Sequence, residues 1–166
     1  MNKNDYIYLD HAATTPMREV AFEAYKKTEM EAYANSSGGH ALSRRAKNIL
    51  EESREFIASC FGAAPNEITF TSGGTEADNW IIKTPFIDKD SSAELTTTQI
   101  EHEAVLASAE NVHSKGFKVN FVSCDSDGIA NIDEFKKSIN ANTLIASVMY
   151  ANNETGVSNL LKKCQK

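Results

Sequence analysis

Short polar stretches at the ends of apolar runs are where an α/β chain can do chemistry, and this sequence has three such stretches. EITFTSGGTEADNW, residues 67–80, ends an alternating apolar run (Ile68, Phe70) in Ser72-Gly73-Gly74-Thr75 and then starts an apolar pattern at helical spacing. A helix N-terminus exposes unpaired N–H groups and a partial positive charge, and glycines let an anion's oxygens approach them. The stretch also suits a tight strand-to-helix turn, with Thr75 as N-cap and Gly73 and Gly74 relieving backbone strain. In TTTQIEHEAV, residues 96–105, Gln99, Glu101 and His102 fall at a strand–helix junction. His102 there offers an imidazole to a ligand in the crevice or a plain hydrogen bond to a neighbouring carbonyl. In LIASVMYANNETG, residues 144–156, Asn152, Asn153 and Glu154 precede Gly156. They suit either carboxamide contacts to a ligand or a turn whose Asn side chains bond their own backbone.

Ligands of open α/β sheets collect outside the carboxyl ends of the strands. A phosphate cradle, an imidazole and a carboxamide pair are therefore expected to face one crevice. The sequence has no Gly-x-x-x-x-Gly-Lys-Ser/Thr and no Gly-x-Gly-x-x-Gly with a downstream acid, which favours a small phosphorylated cofactor over a dinucleotide.

The elements that must position these groups follow from periodicity. Thr14-Thr15-Pro16 predicts a helix opening, with Thr15 as N-cap and Pro16 at the first helical position, running to about Tyr33. Residues 35–39, NSSGG, read as a loop. Leu42, Ala46, Ile49, Leu50, Ser53, Ile57 and Cys60 recur at spacings of three and four, predicting an amphipathic helix closed by Gly62. Cys60 lies on that stripe and is expected in the core. Beyond Pro65 the texture predicts strands near 67–71, 94–99, 117–122 and 143–149, and helices at 75–83, 102–115 and 132–139, with Gly116 ending the second. Such alternation implies a largely parallel sheet flanked by helices.

At 166 residues the chain has the length of one domain, long enough for a core of its own. A net charge of −6 without a basic stripe argues against nucleic acid or an anionic membrane as partner. No stretch suggests a signal peptide or a membrane span, and the three cysteines, Cys60, Cys124 and Cys164, have no Cys-x-x-Cys spacing. Neither a disulfide framework nor a metal site is suggested, and a reduced, cytoplasmic setting is expected.

YLDHAATTP (8–16), NSSGGHALSRRA (35–46), ITFTSGGTEADN (68–79), IEHEAV (100–105) and NNETGV (152–157) resemble, in order, the motifs of the cysteine desulfurases. That family depends on pyridoxal phosphate and has the aminotransferase-type fold (fold type I). The resemblance implies an α/β fold comprising part of the large domain. It further implies that residues 1–62 carry two helices and substrate-side loops, that 63–157 form the partial cofactor-binding domain, and that 158–166 are a non-matching basic tail. By the same resemblance Gly74 and Thr75 form the cofactor-phosphate cup, and His102 is the catalytic imidazole stacked on the pyridine ring. Asn153 is the carboxamide near the ring and substrate, and His11, Ala12 and Asn35 belong to the substrate side. The implied reaction converts L-cysteine to alanine with persulfide sulfur for an iron–sulfur scaffold or other acceptor, in a homo-oligomer. A selenocysteine lyase, or a non-catalytic remnant that binds or dimerises with a full-length enzyme, are the alternatives.

The family's Asn-Pro-Ser-Ser is here Asn35 followed by Ser36, with Gly38 and Gly39 before His40, which is expected to loosen that loop. The family's cofactor-bearing lysine directly follows a histidine, but His11, His40, His102 and His113 are followed by Ala, Ala, Glu and Ser. The acid that pairs with the pyridine nitrogen and the sulfur-accepting cysteine also have no match, and Cys164 reads as incidental. The chain is expected to correspond to the first part of such an enzyme and to be inactive alone.

Overall fold

The computed structural model describes residues 7–159, so Cys164 and the residues around it lie outside the described part. The chain divides into two compact units with the boundary between Phe70 and Thr71.

Among the described residues the first unit holds two α-helices, α1 (Glu19–Glu31) and α2 (Ala41–Phe61). The α1 helix opens later than Thr15-Pro16 predicts. Arg18, at its N-cap, is still extended with φ −65 and ψ 145, and the Tyr8 hydroxyl donates to the carbonyls of Asp10 (2.8 Å) and Thr14 (3.0 Å), holding that stretch as a loop. The helix starts instead where Glu19 sets a negative charge against the N-terminal dipole. The α2 helix runs as expected, from a His40 N-cap to Gly62, whose φ of 65 requires the left-handed conformation that glycine adopts freely. Arg45 on α2 pairs with Glu31 at the end of α1.

Cys60 is exposed rather than buried. Ala58 is the buried residue near this end of α2, and Phe56 and Phe61 stand open as well. Apolar spacing alone decides which face a helix offers; a neighbour must cover it before it becomes core.

In the second unit the order is α3 (Gly74–Lys83), β1 (Glu94–Thr98), α4 (Glu103–Ser114), β2 (Lys118–Val122), α5 (Ile132–Ser138) and β3 (Thr143–Ala146). The strands form one sheet in the order β2-β1-β3, and both pairings are parallel. Ile82 and Phe86 pack with Val105, Ala109 and Val112 of α4, with Leu95 of β1, and with Phe117. Phe86 and Phe117 meet edge-on at 5.0 Å. Burying side chains of this size contributes about 2 kcal/mol each. On the sheet's opposite face α5 supplies the Ser138 carbonyl to Thr96 Oγ1 at 3.3 Å.

The expected strand at 67–71 does not form. Ile68 is extended, with φ −101 and ψ 125, but the Arg54 guanidinium takes its carbonyl at 2.6 Å and lies 4.9 Å from the Phe70 ring. A strand needs a hydrogen-bonded neighbour, and none of the described residues runs beside this segment.

Central strand β1 is buried along its whole length, which makes its three threonines conspicuous. Thr96 and Thr98 place their hydroxyls on partners, whereas Thr97 Oγ1 is buried with none among the described residues. Thr97→Val should therefore raise stability by about 1 kcal/mol by removing a desolvated, unpaired hydroxyl at constant volume. Urea unfolding measures this, and a lower midpoint contradicts it.

Just beyond β1, Glu101 is 9% exposed, and its Oε1 accepts from Thr98 Oγ1 (3.0 Å) and from the Met149 N–H (2.7 Å). Burial pushes its carboxyl above the usual range, against the pull of these donors. The native state thus keeps a proton that the unfolded chain has lost, and stability falls as pH rises from the ordinary carboxylate range through the raised native value. Glu101→Gln should flatten that decline, while Glu101→Ala should cost about 1–3 kcal/mol by leaving two buried donors unpaired. Unfolding curves across pH 4 to 8, a span of about four pH units around the carboxylate range, check both.

Candidate functional site

His102 is placed by a local device. It is the N-cap of α4, and its Nδ1 accepts from the Ala104 N–H at 3.1 Å. In the neutral ring that acceptor role puts the proton on Nε2, which has no partner among the described residues. The ring is exposed, at the mouth of a crevice of about 440 Å³. His102 thus lies at the strand–helix junction where the sequence places it, with a backbone N–H rather than a carbonyl as its local partner.

The facing wall comes from the loop after β3. The Asn152 N–H donates to Val157 and the Gly156 N–H to Asn152, closing a turn in which Gly156 has φ 74. Asn152 Oδ1 accepts from the N–H groups of Glu154 and Thr155, each at 2.9 Å, and its Nδ2 donates to the Ile100 carbonyl at 3.0 Å. The two asparagines differ in what their side chains bond. Asn152 builds the turn, and Asn153, exposed on the crevice wall, makes no side-chain hydrogen bond among the described residues. Gln99, Glu103, Leu106, Glu154 and Thr155 also line the crevice, so carboxylates share the walls with His102 and Asn153.

Gly74 and Thr75 stand at the start of α3, which packs on α4, but they are outside the lining of this crevice. The N-cap of α3 is Gly73, not Thr75. Glu76 Oε2 accepts from both the Ser72 hydroxyl and the Ser72 N–H at 2.6 Å, and these bonds, the hydroxyl's first, hold its carboxyl below the usual range. The N–H groups of Gly74, Thr75 and Glu76 have no acceptor among the described residues. A Cβ built on Gly73 or Gly74 would meet nothing within 4 Å. Protein packing thus does not require either glycine, and free donors at a helix N-terminus fit a phosphate group.

His11, Ala12 and Asn35 lie in the first unit. The Asp10 carbonyl closes the turn around His11 and Ala12 by accepting from the Ala13 N–H at 3.2 Å, and the His11 ring meets Tyr8 edge-on at 4.9 Å. Asn35 Oδ1 accepts from the Ser37 N–H at 2.9 Å. Here the expected loosening by glycine is corrected at Gly38. A Cβ there would come within 2.4 Å of the Oγ of fully buried Ser43, so close packing demands this glycine; only Gly39 has open space. Ser43 Oγ in turn lies 3.1 Å from His40 Nε2, and its N–H donates to Nδ1 at 3.3 Å.

Glu101, which sequence reasoning left without a role, joins the walls of the crevice beside Asn152. The available signal was its position, immediately before a candidate site residue.

The sequence model for aminotransferase class V matches residues 7–166. The cysteine desulfurase IscS of Dictyoglomus turgidum is 37% identical over 161 residues, covering 96% of this chain and 41% of the relative. Among solved structures, a NifS-like protein superposes with a TM-score of 0.87 at 34% identity, covering 95% of this chain and 44% of the other. SspA in complex with cysteine superposes at 0.86 with 32% identity, covering 95% and 46%. The chain thus spans well under half the length of the proteins it matches, and it shares the aminotransferase-type α/β fold with the solved ones. Its sequence and its fold agree: the chain belongs to the class-V aminotransferase family.

Proposed function

We propose that this chain forms the part of a cysteine desulfurase that holds pyridoxal phosphate and faces the substrate. The observation that carries this reading is the crevice itself, in which a free imidazole Nε2 and a free carboxamide meet beyond the carboxyl ends of parallel strands. The N–H groups of Gly74 and Thr75 would hold the cofactor phosphate. His102 would lie against the pyridine ring and hold or move a proton at Nε2, the nitrogen that its cap leaves available. Asn153 would orient the ring and the substrate through its unspent carboxamide. His11, Ala12 and Asn35 would belong to the substrate side.

When bound, pyridoxal phosphate supplies an electron sink for chemistry at an amino acid's α-carbon. The substrate in this reading is L-cysteine, and the related SspA is solved in complex with cysteine. The sulfur would pass to an acceptor protein such as an iron–sulfur scaffold. The exposed Val20, Tyr25 and Met30 of α1 and Phe56 and Phe61 of α2 favour a homo-oligomer. No helix of the described residues is long and apolar enough to cross a membrane. A cytoplasmic setting is a separate part of this proposal.

Pyridoxal phosphate binding by the 166-residue chain, followed by equilibrium dialysis, tests the reading. Gly74→Val should weaken it about ten-fold or more by filling the space before the free N–H groups, and circular dichroism should show α3 retained. Unchanged affinity would remove the cup assignment, and no binding by the parent chain would remove the cofactor reading. In this sequence no histidine is followed by lysine. The chain alone should therefore release sulfide from L-cysteine no faster than free pyridoxal phosphate does; a faster rate in a methylene-blue assay contradicts that.

A further inference from the structure

His102 and Asn153 reach the crevice from separate loops, one after β1 and one after β3. Sheet hydrogen bonds fix the strands but not the loops beyond them, so the spacing between the two side chains needs its own support. Two bonds supply it, and they cross. From the His102 loop, Glu101 Oε1 accepts from the Met149 N–H of the other loop at 2.7 Å, across 48 residues of sequence. From the Asn153 loop, Asn152 Nδ2 donates to the Ile100 carbonyl at 3.0 Å, across 52 residues. Each bonding residue immediately precedes one of the two candidate site residues.

Both side chains are engaged within the protein, Glu101 through Oε1 and Asn152 at both ends of its carboxamide. Glu101 is 9% exposed, and its Oε1 already serves Thr98 and Met149. Asn152 uses both ends of its carboxamide, Oδ1 on Glu154 and Thr155 and Nδ2 on Ile100. Buried Asn159 steadies the same loop by donating to the Met149 carbonyl at 2.8 Å while accepting from the Ala130 N–H at 3.0 Å. Met149 is therefore held through both its N–H and its C=O, so that Glu101 bonds a residue already fixed on its other side.

We infer that Glu101 and Asn152 are positioning residues that form a reciprocal clamp and set the distance between the His102 imidazole and the Asn153 carboxamide. The consequence for cofactor binding rests on the function proposed above; the clamp itself does not. Supporting side chains of this kind lock a site's geometry without touching what it binds.

Three variants of the 166-residue chain separate the contributions. Asn152→Asp keeps the acceptor for Glu154 and Thr155 but loses the donor to Ile100. Glu101→Leu removes the acceptor for Met149, and Glu101→Gln keeps an amide oxygen in its place. Without cofactor, the His102 ring and Asn153 side-chain NMR resonances should shift in Asn152→Asp and Glu101→Leu and stay near the parent's in Glu101→Gln. Pyridoxal phosphate affinity should fall about ten-fold in the first two and recover in the third. Amide exchange at Met149 reports whether the bond was broken. Faster exchange there with unmoved His102 and Asn153 resonances would overturn the clamp. If the parent chain binds no pyridoxal phosphate, the functional reading fails, and the cofactor-free resonances still decide for or against the clamp.

Discussion

A buried carboxylate ties the second unit together at the end where its strands stop. Parallel strands deliver loops side by side, and the ladder that aligns β1 with β3 ends before those loops begin. Glu101 bridges the gap by accepting from the last residue of β1 and from the chain leaving β3. Burying a carboxylate costs free energy that these donors offset, and the residual cost shows as its raised affinity for a proton. The arrangement is worth that cost only if the loops must be held in one geometry. At the other end of β1, Glu94 Oε2 accepts from Lys118 Nζ (3.0 Å), Asn120 Nδ2 (3.1 Å) and Asn140 Nδ2 (3.1 Å), which hold its carboxyl below the usual range. The central strand is thus fixed at both ends by acids with opposite proton affinities, the one paired with a lysine favouring its charge and the one held by neutral donors in a desolvated site resisting it.

Two helices in this chain start on a histidine, and comparing them shows what context adds to a local motif. His40 and His102 both accept a backbone N–H through Nδ1. At His40 the other nitrogen lies beside the buried Ser43 hydroxyl, so the ring is spent on capping and packing. At His102 the cap fixes the ring and leaves Nε2 over a crevice. A helix N-terminus that anchors an imidazole by one nitrogen presents the other in a defined tautomer, which suits a proton-handling role. The α3 terminus differs again. Its first N–H groups are left without acceptors while Glu76 turns back onto Ser72.

The relatives give these details a setting. The chain shares this α/β architecture with its solved relatives and matches the class-V aminotransferase family over nearly its whole length. The exposed apolar residues of α1 and α2 and the extended, unpaired segment at Ile68 have a common physical reading. Each has the sequence pattern of a covered element and lacks a covering neighbour within its unit.

What the sequence determined by itself is whatever depends on local chemistry and spacing. The alternation of strands and helices beyond residue 74, the Gly62 and Gly116 helix ends, the parallel sheet and the family all follow from periodicity, turn residues and ordered motifs. Only the tertiary structure decided the matters that depend on a second element being present. Residues 68–70 have strand character, yet Arg54 takes the carbonyl that a neighbouring strand would have bonded. Cys60 sits on an apolar stripe, yet nothing in its unit covers it. Gly38 looks like a flexible loop residue, yet a buried serine requires it. Asn152 and Asn153 are identical in type and adjacent in sequence, and the bond from one of them to Ile100 leaves the other to face the crevice. Patterns along a chain report what each residue prefers; which preference is met depends on partners some fifty positions away.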